Sequence, residues 1–468
     1  MFSRTPTTQV VLVGITTFAT VGMFCAVTNL GAGGTQDVSL SDTTNGVLYG
    51  VFAVTGLISG AINNMLGPRW TLFLGTLGYA LYLGAFWCFQ VQGTRWFLIL
   101  SGAVLGFSAA LLWSAQGSIM MSYPLEKDKG KAFSMFWSLF QLGTFIGSII
   151  ALAINIREGG LSAVSTSTYI AFIVIIFVGI ASSIFILPPH LIVRSDGSIV
   201  RLDDKSKVHE EAVGMFKLLK DWRMLCLLPM FFASNYYYAY QGSVNATVFD
   251  GATRALNAAL EGAGAIVGAL IIGFFVLDNK WLSRKYRGYL GLAVVATQVT
   301  ILWSIVLAWQ VTFDRDYQAD HDGICSTTTT VTTRERAPST SFVCFYFSDA
   351  SYQALVYWIM SALSNDPFTL ARFAGLYKAV QSAGSAGSFG MDAVLTPLLN
   401  EHLACWVMLM FSFIPAFFVV RTIKETNYDD EKMASVDGAP HEQQEKGESA
   451  SEDYDKVANG MSSELPSV

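Results

Sequence analysis

The feature that most constrains this chain is how far it runs without charge. Across its first 125 residues the only charged side chains are Arg4, Asp37, Asp42, Arg69 and Arg95. A water-soluble fold of that size cannot cover its surface with so few, because soluble domains carry about 25% Asp, Glu, Lys and Arg. The whole chain of 468 residues holds 14%, against 52% hydrophobic residues. Disorder is excluded too, since it needs low hydrophobicity and high charge. The sequence therefore reads as an all-α protein that crosses a membrane many times.

A helix needs about 20 apolar residues to cross a hydrocarbon core of roughly 30 Å. Windows of that length give twelve spans, near residues 10–30, 44–65, 70–90, 96–121, 132–154, 168–188, 223–246, 256–277, 289–311, 350–365, 374–396 and 402–421. The basic residues test this count, because Lys and Arg gather in cytoplasmic loops. With the N-terminus inside, the cytoplasmic segments hold 23 of the 29 basic residues and the outer segments 6. A span missed midway would destroy that ratio. The expectation is twelve transmembrane helices with both termini cytoplasmic, in the plasma membrane or the vacuolar membrane. The formal net charge of −6 does not describe this body. Residues 425–468 hold twelve acidic residues and three lysines and read as a disordered acidic cytoplasmic tail.

Two outer features agree with the orientation. The sequon Asn245-Ala246-Thr247 ends span 7 on the outer side and makes Asn245 the candidate glycosylation site. Cys325 and Cys344 share the outer loop 312–349, where a disulfide is expected and two unpaired thiols are the alternative.

The longest cytoplasmic loop, 189–222, divides the spans six and six. Residues 1–188 and 223–424 then form two pseudo-symmetric six-helix bundles, an arrangement common among secondary transporters. Phe133, Trp137, Gln141, Gly147 and Ser148 of span 5 match Phe373, Tyr377, Gln381, Gly387 and Ser388 of span 11 at a constant offset of 240. The i, i+4, i+8 spacing puts two aromatics and an amide on one helical face. An amide facing lipid is costly, so Gln141 and Gln381 should face a wet cavity or a neighbouring helix. Glycines four apart let backbones approach closely. Such pairs mark span 2 (Gly56, Gly60), span 5 (Gly143, Gly147) and span 8 (Gly264, Gly268), and span 11 has Gly384 and Gly387 three apart.

These features resemble the major facilitator superfamily, in whose fold the two halves meet along the 2–11 and 5–8 helix pairs. By that resemblance the eight glycines are half-interface residues. The superfamily motif between spans 2 and 3 is present in altered form over Gly60–Arg69. Gly60, Gly67 and Arg69 fit it, but Asn64 stands at the Asp position and Met65 at the first Arg position, which puts the usual cytoplasmic gating charge pair in doubt. Three segments resemble the Unc-93-like branch in its fungal form: Leu112-Trp113-Ser114-Ala115-Gln116-Gly117, the run from Ala371 to Gly384, and Asn235-Tyr236-Tyr237-Tyr238. The resemblance covers about residues 8–425. It implies a major facilitator fold. It leaves transport open, because animal members of the branch regulate a potassium channel or escort innate immune receptors.

In that fold spans 1, 4, 7 and 10 line the central cavity. The candidate lining is then Asn29, Trp113, Gln116, Asn235, Tyr236, Tyr240, Gln241 and Tyr357, joined by Gln141 and Gln381. It has no fixed charge and suits a neutral solute, or a cation held by ring faces. Glu261 and Asp392 are the candidate proton-coupling groups, with an outer Glu261–Arg254 ion pair as the alternative for the former. Lys378 reads as a snorkelling residue. The five histidines are scattered without metal-ligand spacing, and no Gly-Lys-Ser/Thr phosphate loop occurs. Neither an enzyme, a metal, a cofactor nor nucleic acid is expected. The chain reads as a secondary transporter of a small solute or ion, or as an accessory protein that regulates or escorts another membrane protein such as an ion channel.

Overall fold

Twelve membrane-crossing helices follow the expected order, and three of them are not simple apolar rods. The computed structural model describes residues 4–28, 38–157, 166–200, 206–249, 251–315 and 333–428. Span 1 runs Pro6–Thr28 through a π-helical turn at Phe18–Gly22. Spans 2 to 6 are Val38–Leu66, Pro68–Gln92, Arg95–Ser122, Lys129–Arg157 and Thr166–Ser183. Span 7 is Trp222–Ala233 followed by Tyr238–Val248. Span 8 is Gly251–Ile271 continued by a π-helical turn, Ile272–Leu277. Spans 9 to 12 are Arg284–Gln310, Thr333–Leu363, Pro367–Ala393 and Leu398–Val420.

Nine of these are long and apolar enough to cross a bilayer on composition alone. The exceptions among the described residues are spans 7, 10 and 11. Span 7 contains Pro229 and unwinds over Ser234–Tyr237. Spans 10 and 11 carry Asp349, Gln353, Lys378 and Gln381 in their interiors. Unwound backbone and charge at membrane depth are tolerated only where protein surrounds them. The three exceptions therefore mark where the polar interior must lie.

The first six spans meet the last six along two helix pairs. Span 2 lies on span 11. A Cβ on Gly56 would stand 2.7 Å from Ala379 Cα, and one on Gly60 would stand 2.6 Å from the Ala371 carbonyl oxygen. Span 5 lies on span 8, with Gly262 against the Gln141 carbonyl and Phe145. The other six interface glycines are placed differently from the expectation. Gly143 and Gly147 face Phe18, Met23 and Ala26 of span 1. Gly264 and Gly268 face the carbonyls of Val343 and Phe347 in span 10, while Gly384 and Gly387 face Phe232 and Tyr236 in span 7. Small-residue spacing shows that some helix comes close, but not which one.

The span 2–span 11 approach gives a direct test. Gly60→Ala should lower stability by about 1–3 kcal/mol, the usual penalty for overpacking against backbone. Gly46 and Gly50 have nothing within 4 Å of an added Cβ. Gly46→Ala and Gly50→Ala should then be neutral or gain up to ~1 kcal/mol of helix propensity. Denaturation in mixed micelles reads all three. Equal losses would argue against this contact.

The chain from Met1 to Glu425 forms one compact unit and Thr426–Val468 another. Within the second, residues 429–468, which include most of the expected acidic tail, lie outside the described residues. The central loop is held to the first unit by Arg194, which donates to the Ser122 and Tyr123 carbonyls. It also contains a helix, Val208–Lys220, that packs on spans 2 and 11.

Candidate functional site

The break in span 7 presents Ser234 and Asn235 to span 11. Gln381 shares its amide donors among Ser234 Oγ (2.7 Å), Asn235 Oδ1 (2.9 Å), Tyr377 OH (3.0 Å) and Gln353 Oε1 (3.3 Å). Its own oxygen accepts from Lys378 Nζ at 2.7 Å. Gln353 donates onward to Asp349 Oδ1 at 2.9 Å. Asp349 also accepts from the hydroxyls of Tyr237 and Tyr238. Lys378 and Asp349 are thus opposite charges held apart by two amides, and both are buried, at 3% and 2% exposed. Beside them Tyr346 hydrogen-bonds the buried carboxyl of Glu261 on span 8.

Lys378 sits in an aromatic cage. Its ammonium lies 4.3 Å from the Trp113 ring, 4.8 Å from Tyr377 and 5.6 Å from Tyr357. Trp113 comes from span 4, so the cage joins the first six spans to the last six. Tyr357 in turn donates to Gln116 Oε1 at 3.1 Å. This corrects two expectations: Lys378 does not snorkel, and the site does hold fixed charge. Span 11 starts at Pro367 behind an Asp366 cap, not near 374. At 1.5 Å per residue, Lys378 lies about 16 Å down the helix, beyond reach of the interface.

The remaining candidates disperse. Tyr236 lies beside Met391, and Tyr240 donates to Gln310 and touches His402. Gln241 is buried with both amide atoms unpartnered. Gln141 is buried on the span 5–span 8 contact and takes no part in the network around its counterpart Gln381. Asp392 is bound to Ser243 and to Arg315 at 2.6 Å, and Arg315 also pairs with Glu401. Asn29 of the expected lining and Cys325 of the expected Cys325–Cys344 pair lie outside the described residues. Asn245, the candidate glycosylation site, is 6% exposed, and its Oδ1 accepts from Asn257 Nδ2 at 2.9 Å. Asp349, Gln353, Tyr377 and Lys378 were not anticipated as site residues. The available signal was the i, i+4, i+8 run Asp349, Gln353, Tyr357 in span 10.

Three polar clusters join the two sets of spans at the end of the bundle that bears the central loop. Glu211 of the loop helix forms a two-pronged ion pair with Arg372 of span 11, at 2.8 and 2.9 Å. Asn64 of span 2 donates to the same carboxylate and to the Phe368 carbonyl, each at 3.1 Å. Burial alone would push the Glu211 carboxyl up. The hydrogen bonds from Arg372, Ser206 and Asn64 outweigh it and hold the group below the ordinary carboxylate value. In the second cluster Lys129 donates to the Ser361 carbonyl (2.8 Å) and to Asn365, while Glu126 pairs with Arg284 at 3.0 Å. In the third, Asp278 at the end of span 8 accepts from the backbone of Gly130 and Lys131 and caps span 5.

Residues 43–420 match the family described as ion channel regulatory protein UNC-93. The chain belongs to the UNC-93 family. UNC93-like protein 1 of Arabidopsis thaliana is 35% identical over 435 residues, covering 91% of this chain and 93% of its own. An UNC93-like protein of Schizosaccharomyces pombe is 35% identical over 416 residues, covering 88% and 82%. Among solved structures, the major facilitator superfamily transporter FucP in its outward conformation superposes with a TM-score of 0.58 at 11% identity, covering 89% of this chain and 99% of that one. At that identity the match shows the fold alone. This UNC-93 family member is a multi-pass membrane protein with the twelve-helix major facilitator fold.

Proposed function

We propose that this UNC-93 family protein is a secondary transporter of a small solute working by alternating access. Residues 1–188 and 223–424 would be the two moving halves, and the central-loop end and both termini would be cytoplasmic. The observation that carries this reading is the buried charge pair Lys378 and Asp349. It is spaced by Gln381 and Gln353 and walled by aromatic rings from both halves. Ionisable groups at membrane depth are expensive and mark functional sites by default. A surface that only escorts a partner has no use for them. Glu261, joined to Tyr346 beside Asp349, is the stronger coupling candidate. Asp392 is the weaker, because Arg315 already offsets its charge. The clusters at Glu211, Lys129 and Asp278 would hold the cytoplasmic side shut.

The second reading, an accessory protein that regulates or escorts a channel, is favoured by the description of the family itself. Proteoliposomes separate the two. Transport predicts saturable uptake from a broad solute panel, reduced at least tenfold by Lys378→Met. No uptake of any solute or of potassium, together with a membrane partner that co-purifies in fixed ratio, would sink it.

A further inference from the structure

The unused hydrogen-bonding capacity at the Lys378–Trp113 junction has one sign. An ammonium carries three donors. Lys378 gives one to Gln381, and its other contacts are the ring faces of Trp113, Tyr377 and Tyr357. Gln116 has its oxygen filled by Tyr357 and its buried Nε2 unpartnered. The Trp137 indole N–H is also buried and unpartnered, with its ring 6.2 Å from Trp113. On the other side, the Asp349 carboxylate already accepts from Tyr237, Tyr238 and Gln353. What is left over is therefore a cation and two N–H donors, on Gln116 and Trp137, with aromatic walls.

Unspent buried donors are costly unless an acceptor reaches them. An oxyanion matches this set, since it offers several lone pairs and a charge opposite to Lys378. The rings suit a flat apolar body attached to it. A cationic solute would meet like charge, and a neutral one would leave the ammonium unpaired. We infer that the site takes a small organic anion, with its carboxylate on Lys378 and Gln116 and its apolar body against Trp113 and Trp137. This rests on the reading of the junction as the solute site.

The test uses the full chain in detergent micelles and three probes that share a ring and differ in head group: benzoate, benzamide and benzylamine. Binding is read by thermal shift and by calorimetry. Benzoate should bind at least tenfold more tightly than benzamide, and benzylamine should not bind. Lys378→Met should weaken benzoate at least tenfold, while Lys378→Arg retains most of the affinity. Should Lys378→Met fail to fold, Gln116→Leu serves instead and should weaken benzoate severalfold. Equal binding of the three probes, undiminished benzoate affinity in the folded variants, or no benzoate binding at about 10 mM would each overturn the inference. Uptake of some other solute without carboxylate binding would overturn only this inference. Lys378-dependent benzoate binding without any uptake would keep the site and remove transport.

Discussion

Replacing Gln381 by Leu should cost this protein far more stability than replacing Gln141, although the two are matched residues 240 positions apart. An interhelical hydrogen bond in a membrane averages about 0.6 kcal/mol, because the unfolded helices find other partners. On that scale Gln141→Leu, which breaks no bond of the Gln381 network, should lose less than about 1 kcal/mol. Gln381 is different because it holds a charge. Its oxygen is the hydrogen-bond acceptor of a lysine that is 3% exposed, and its nitrogen ties Ser234 and Asn235 of the span 7 break to Tyr377 and Gln353. Stripping the partner from a buried charge costs about 3–5 kcal/mol. Gln381→Leu should therefore lose ~3 kcal/mol or more, read by unfolding in mixed micelles. Gln381→Glu keeps an acceptor for Lys378 and should recover much of that loss. Similar losses at both positions would mean that the hub does not carry the span 7 break.

The number and order of the spans could be read from the sequence because they depend on apolar length and loop charge, which are local quantities. The polar interior was only half legible, and the failure had a cause. A window that seeks apolar residues slides away from polar ones. It began span 11 near 374 and so put Lys378 at the membrane edge, and it began span 10 at 350 and so left Asp349 outside. The same bias acts wherever a span carries its chemistry inside. Gln381 could be seen because an amide deep in an apolar helix stands out, but its partners on spans 7 and 10 depend on packing. The sequon at Asn245 is a three-residue pattern that carries no information about burial. Glycine spacing marked close helix contacts correctly only in kind, and of the eight expected interface glycines just Gly56 and Gly60 touch the opposite set of spans.

The clasp at Glu211 shows a longer-range limit and gives the second large effect. Asn64 stands where the superfamily motif has Asp, so the local pattern suggested that the charge pair was missing. The carboxylate comes instead from Glu211, 147 positions away. Arg372→Met would leave that carboxylate, 2% exposed, with only Asn64 and Ser206 for support. The loss should approach 3 kcal/mol, the lower end for breaking a buried pair, since Arg372 is partly exposed. The charge swap Glu211→Arg with Arg372→Glu should restore part of it, and the coupling in the cycle should exceed ~1 kcal/mol. The pH dependence has a definite sign. Glu211 titrates below its ordinary value of 4.5, so its contribution is present above that value and is lost as pH falls through the depressed one. Glu211→Gln should remove that acid-side loss. Asn64 ties this ion pair to span 2, so if the two sets of spans move as proposed, the full clasp would exist only while this end is closed. A contact worth ~3 kcal/mol in one state alone shifts an opening equilibrium by about 150-fold. Hydrogen exchange of Val208–Lys220 and of the start of span 11 should accelerate in Arg372→Met on that scale, while the span 3 and span 4 interiors stay protected. Uniform acceleration across all spans would mean that the ion pair supports the fold generally and does not act as a gate.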